Sequence, residues 1–254
     1  MKENPAQLLS AILDVGEIML LSGAEVNRVE TTIQHMAGAY GFSKVDVFTI
    51  TSSIVVTVHV PEGDIFTQTR RIKGLETDMH KVERCNSLSR SVCLKPLCLQ
   101  ELKKQIDEIK NEKAHSEITM FCIHGLVAVV FSGFFGGSVR DMAAALICSL
   151  ILRSFLWVGR KLKVQNIILT VFCSSIIAFI ALLLVRIGLG ESADKVIVGN
   201  IMLLLPGVTL TTSLRDMING DLISGLLGVF EAIIRALAIA IGVAMVLWLM
   251  GGGL

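Results

Sequence analysis

After Ile118 the chain becomes a succession of long, nearly uncharged apolar runs, and no other feature limits its fold as much. A helix needs about 20 mostly apolar residues to cross a bilayer, where its backbone polar groups must be satisfied within the segment. Five stretches meet that requirement: 118–136, 141–159, 165–186, 196–214 and 222–250. The expected architecture is an N-terminal cytosolic α+β domain, residues 1–116, followed by an all-α membrane domain of five transmembrane helices, residues 117–254. The boundary falls in the charged, helix-favouring stretch Glu101–Glu117.

Charge and cysteine usage narrow the class further. Lys+Arg 23 and Asp+Glu 22 nearly cancel, so no nucleic-acid partner is expected. Met1–Ser10 carries one basic residue, and Asp14 and Glu17 interrupt any apolar core of a signal peptide. The soluble part is therefore expected to stay in the cytoplasm. The 6 cysteines lack the paired spacing of a zinc site, which fits free thiols in a reducing compartment, with no metal and no cofactor.

Within the soluble part, Leu8, Leu9, Ile12, Val15, Met19 and Leu20 recur at helical spacing. Ser22-Gly23 breaks the pattern, Val26, Val29, Ile33, Met36 and Tyr40 resume it, and Gly41 reads as its stop. From Lys44 the period changes to two. Ile54, Val56, Val58 and Val60 predict a central strand, Pro61-Glu62-Gly63-Asp64 a turn, and residues 65–70 the returning strand. Leu75, Met79, Val82 and Leu88 restore the helical period, and Leu97–Lys113 predicts a charged helix. Glu25 and Arg28, three apart, predict a pair on one helix face, which Glu30 does not share with Arg28.

Orientation follows from the cytoplasmic N-terminal part. Arg160, Lys161, Lys163 and Arg215 then fall inside, and Arg140, Arg186 and Lys195 outside, a slight agreement with the positive-inside rule. Five crossings leave the C-terminus outside, in a multi-pass protein of the cell membrane (the cell inner membrane where there are two).

Charges at membrane depth cost at least ~2.5 kcal/mol each, so they mark structure or transport. Arg153 has no partner within its own predicted helix, whereas Glu231 and Arg235 stand one turn apart. Asn200 leads into Pro206-Gly207, where proline removes a backbone donor and frees a carbonyl near Met202. Thr209, Thr211, Thr212 and Ser213 place hydroxyls just beyond. Interrupted helices of this kind line ion and substrate sites in secondary transporters. Arg215-Asp216 follows, then Asn219-Gly220 as a turn, with Asp221 placed to cap the last helix.

Two separated motifs carry a family resemblance. Ser22-Gly23-Ala24-Glu25-Val26-Asn27-Arg28-Val29-Glu30 is the first. The second is Leu204-Leu205-Pro206-Gly207-Val208, then Ser213-Leu214-Arg215-Asp216 and Asn219-Gly220-Asp221-Leu222-Ile223-Ser224-Gly225. Together with Glu231-Ala232 they resemble the threonine/serine exporters over nearly the whole chain. The resemblance implies export of a small polar substrate driven by an ion gradient, with coupling to protons. Full-length members are similar to this chain plus about five further spans. A chain ending at Leu254 resembles the split form, in which a separate small membrane subunit supplies the rest, and one such pair is associated with succinate export. The substrate class is thus a hydroxy amino acid or a dicarboxylate, and a homo-oligomer is the other way to complete the unit. On this reading Arg153 or Arg235 meets the substrate carboxylate, and Glu231 or Asp216 carries a proton. Gly23, Glu25, Arg28 and Glu30 form the cytosolic motif. The competing readings are a membrane-anchored enzyme and a sensor acting through the N-terminal domain. No Gly-x-Ser-x-Gly elbow, phosphate loop or metal-ligand pair supports an enzyme.

Overall fold

The computed structural model describes residues 4–61, 63–74, 76–112, 116–162 and 164–250. In chain order the first elements are α1 (Pro5–Leu21), α2 (Val26–Ala39), β1 (Lys44–Ile50), β2 (Ser53–His59), β3 (Ile65–Arg71), α3 (Met79–Leu94) and α4 (Leu99–Asn111). Then come α5 (Glu117–Phe134), α6 (Val139–Lys161), α7 (Asn166–Arg186), α8 (Ala193–Ile201), α9 (Gly207–Ile218) and α10 (Leu222–Leu249). Contacts divide the chain into two units. One is Met1–Ala114 with Gly207–Phe230, and the other is His115–Pro206 with Glu231–Leu254.

The first unit is built around α1. This helix is apolar nearly all round, and such a helix belongs in an interior. Leu9, Ile12, Leu13, Val15 and Met19 are fully buried, and the helix packs against α2, α3, α4, β2 and β3. Asn4 caps its start by accepting from the Ala6 N–H, and Gly23 at φ 85 turns the chain into α2. The sheet is an antiparallel meander in the order β1-β2-β3, with β2 central as its two-sided apolar pattern predicts. Ile54, Val56 and Val58 point into the core. Gly63 at φ 98 closes the turn to β3, where the Val60 N–H donates to the Asp64 carbonyl. Glu62 and Leu75 lie outside the described residues, as do Lys163 and the C-terminal residues 251–254.

The second unit is a helical bundle. Small residues line its interior: Ala128, Ala144, Ala145, Ala178 and Ala181 are buried. Without a hydrophobic drive between helices in lipid, close backbone approach through small side chains is what holds such bundles. Large apolar side chains instead point outward, among them Leu126, Phe134, Phe172, Phe179 and Trp248. In water this surface would be prohibitive, whereas against lipid tails it costs nothing.

Among the described residues four helices are long and apolar enough to cross a membrane: α5, α6, α7 and α10. The stretch 196–214, the fourth expected span, is interrupted at Pro206-Gly207 as the sequence predicts. Pro206 has no N–H, α8 ends at Ile201, and α9 starts at Gly207. At about 1.5 Å per residue, neither a 9-residue nor a 12-residue helix covers a hydrocarbon core of ~30 Å. The Met202 carbonyl accepts no backbone hydrogen bond among the described residues, in keeping with the donor that proline removes.

Candidate functional site

The two sequence motifs meet within the first unit. Glu25 occupies the N-cap of α2 but makes no capping bond of its own. The orphan N–H of Val26 is satisfied by Asp216 of α9, whose Oδ1 accepts it at 3.1 Å across 190 positions of sequence. In exchange the Glu25 carboxylate accepts from the Arg215 Nη1. A helix N-terminus carries partial positive charge, so two carboxylates converge on it favourably. Asp216 is nonetheless buried, at 6% exposure. Its carboxyl is pushed up to about 6, first by burial and then by the charges of Asp221 and Glu25, against the lowering effect of the Val26 bond.

Glu30 serves the same unit differently. Its Oε1 accepts from the Thr49 N–H of β1 at 2.7 Å and so ties α2 to the sheet. Burial raises its pKa above the ordinary value. The expected Glu25–Arg28 pair does not form, because Glu25 is engaged by Arg215, and Arg28 has no carboxylate partner among the described residues. Gly220 at φ 101 makes the turn expected at Asn219-Gly220. The Asp221 carbonyl accepts from the Gly225 N–H, but its carboxylate makes no capping bond among the described residues. Gly225 and Gly228 allow α10 to lie close on α9, where an added Cβ would come within 2.6 Å of the Ser213 carbonyl and 2.0 Å of the Ser213 hydroxyl respectively.

The second unit holds Arg153, Asn200, Glu231 and Arg235. Arg153 on α6 is 3% exposed. Its Nη2 donates to Glu117 Oε2 of α5 at 2.7 Å, and its guanidinium lies 5.9 Å from the centre of the Phe121 ring. Its Nε and Nη1 are buried with no partner. Glu117 was not among the expected site residues, since it sits at the mouth of the first apolar run and 36 positions from Arg153. Asn200 is fully buried; its Nδ2 donates to the Val196 and Ala145 carbonyls, and its Oδ1 accepts nothing. Glu231 and Arg235 pair at 2.6 Å along α10, as their spacing predicts.

The Thr211, Thr212 and Ser213 hydroxyls donate back to carbonyls of α9 itself, so they are occupied locally. The Thr209 carbonyl receives two of these bonds. Asp141 closes a capping box with Ser138 and accepts the Glu191 and Ser192 N–H groups, which fastens the start of α8 to the start of α6. Among the described residues no group of His, Cys, Asp and Glu is arranged to hold a metal ion.

A bundle of apolar helices with a buried, incompletely paired arginine defines an integral membrane protein of the transporting kind. The chain belongs to the threonine/serine exporter family: the family model described as "Putative threonine/serine exporter" matches residues 10–250. It is 25% identical over 238 residues to the "Probable succinate transporter subunit YjjP" of Klebsiella aerogenes, covering 92% of this chain and 90% of that protein. It is 24% identical to the "Threonine/serine exporter" of Corynebacterium glutamicum and 23% identical to the "Probable threonine/serine exporter" of Mycobacterium tuberculosis. The matches span 50% and 45% of those two proteins, against 94% and 93% of this chain. These relatives are named as transporters, not enzymes. No solved structure matches significantly.

Proposed function

We propose that the protein is a subunit of a secondary transporter that exports a small carboxylate-bearing metabolite, a hydroxy amino acid or a dicarboxylate such as succinate. The observation that carries this reading is Arg153, buried in the bundle with one nitrogen on Glu117 and Nε and Nη1 unpaired. A buried donor without an acceptor costs about 1–3 kcal/mol, more when charged. A substrate carboxylate satisfies the open donors, and guanidinium is shaped for that group. Glu117 then acts as the resident counter-ion, keeping the empty site from carrying a bare charge.

The chain crosses the membrane five times, the interrupted stretch 196–214 being one crossing, and the N-terminal domain faces the cytoplasm. Proton coupling falls to Asp216, whose carboxyl titrates near the working pH, or to Glu231. A small membrane subunit completes the unit. Its support is the name of the Klebsiella relative, which is called a subunit and is matched over most of its length.

Export of threonine, serine and succinate from cells, at matched protein levels, tests the reading. Arg153→Gln is expected to lower export at least about tenfold, the effect of losing one charge-assisted contact. Glu117→Gln is expected to weaken it less. Wild-type export by Arg153→Gln refutes the assignment.

A further inference from the structure

The cleft between α2 and α3 belongs to the first unit, Arg153 belongs to the second, and the cleft serves no role in the reading above. It has a volume of about 300 Å³ and is lined by Arg28, His35, Asn86, Ser89 and Arg90, along with two threonines of α2. That volume is at the lower end for small-ligand pockets. Among the described residues no carboxylate lines it. This sets its arginines apart from their neighbours: Arg70 holds Asp14 and Glu17, and Arg84 holds Glu112. Arg28 and Arg90 hold no carboxylate among the described residues. Two like charges facing one cleft repel each other unless an anion lies between them. A second observation concerns Ser89. It is 7% exposed, and its hydroxyl has no hydrogen-bond partner among the described residues. The polar groups beside it are satisfied: the buried Thr32 hydroxyl donates to the Arg28 carbonyl, and the half-buried Asn86 amide donates to the Val82 carbonyl. Ser89 thus turns an unpartnered hydroxyl, still reached by solvent, to the wall of a cationic cleft.

The geometry points to a binding site for a small, doubly charged oxyanion in this cleft, with Arg28 and Arg90 holding the charge and Ser89 donating from the floor. The shared chemistry is a pair of anionic oxygens, as presented by a free phosphate or a short dicarboxylate. The site does not depend on the transport reading. If the dicarboxylate is the ligand, the soluble unit senses the kind of molecule that the bundle moves.

Equilibrium binding of inorganic phosphate and of succinate to the full chain, purified in detergent and held at constant ionic strength, tests the inference. The Arg153→Gln background removes the proposed transport site from the signal. Saturable binding of at least one of the two anions is expected. Arg28→Gln and Arg90→Gln are each expected to weaken it about tenfold, as for loss of one charge-assisted contact. Lys103→Gln on α4 serves as the control for non-specific charge and is expected to bind as before. Both arginines are exposed, so folding is expected to survive, and thermal unfolding checks it. No saturable binding of either anion up to about 10 mM, a free energy too small for a dedicated site, overturns the inference. Binding that is unchanged in both arginine variants also overturns it.

Discussion

Asp216 shows how much a single residue depends on contacts far away in sequence. Its carboxyl titrates higher in the fold than its ordinary value of 3.8, at about 6, mainly because it is buried. A carboxyl raised in this way favours the folded state in its protonated form. That contribution is complete below about pH 3.8 and is lost as pH rises through about 6. Asp216→Asn keeps an acceptor for the Val26 N–H and removes the buried charge. Its melting temperature is expected to exceed the wild type's at about pH 7.5, by about 2–4 °C per kcal/mol recovered, and to converge with it near pH 4. A gap that stays constant over that range would show that burial of the charge is not its source. Arg28 teaches the reverse lesson. Spacing alone pairs it with Glu25, yet Glu25 goes to Arg215, because the fold supplies a cation at the N-terminus of α2 that no local pattern contains. Glu117 was overlooked for the same reason: one helical turn of sequence cannot show that α5 and α6 bring it to Arg153.

Among the elements, the glycines of α10 set how closely it packs. A Cβ at Gly242 would lie 2.0 Å from the Ser174 hydroxyl of α7 and 2.5 Å from the Val171 carbonyl. The Ser175 hydroxyl also donates to the Gly242 carbonyl at 3.0 Å, which ties α7 to α10 at the same level. Gly242→Leu is expected to cost about 1–3 kcal/mol through overpacking, read as a lower melting temperature in detergent. Adding Ser174→Ala is expected not to restore it, because the Val171 backbone still blocks the space; full rescue would mean that the side chain alone sets the approach. The break at Pro206-Gly207 was legible in the sequence, since a missing N–H is a property of one residue type. The consequence, two short helices assigned to different units, was not legible, because it depends on what each half packs against.

At the scale of the whole molecule, the proposed orientation is open to direct chemistry. Cys93 and Cys98 are exposed, while Cys85 is buried and its thiol is pushed up to about 12 by that burial. With Cys122 replaced by Ser, a membrane-impermeant maleimide is expected to label Cys93 and Cys98 in inside-out vesicles and to spare them in intact cells. Labelling in intact cells would reverse the orientation. The sequence by itself determined that this chain is a membrane protein with an α+β N-terminal part, because apolar period and run length are local properties that water and lipid read residue by residue. Four of the five apolar stretches forming long helices, the meander with β2 in the middle and the Glu231–Arg235 pair all follow from such spacing. Only the tertiary structure decided that the two halves of the run 196–214 fall in different units, that Asp216 caps α2, and that Arg153 answers to Glu117. Each of these depends on groups brought together from positions far apart in the chain, and the free energy of such contacts belongs to the packed fold, not to any stretch of sequence.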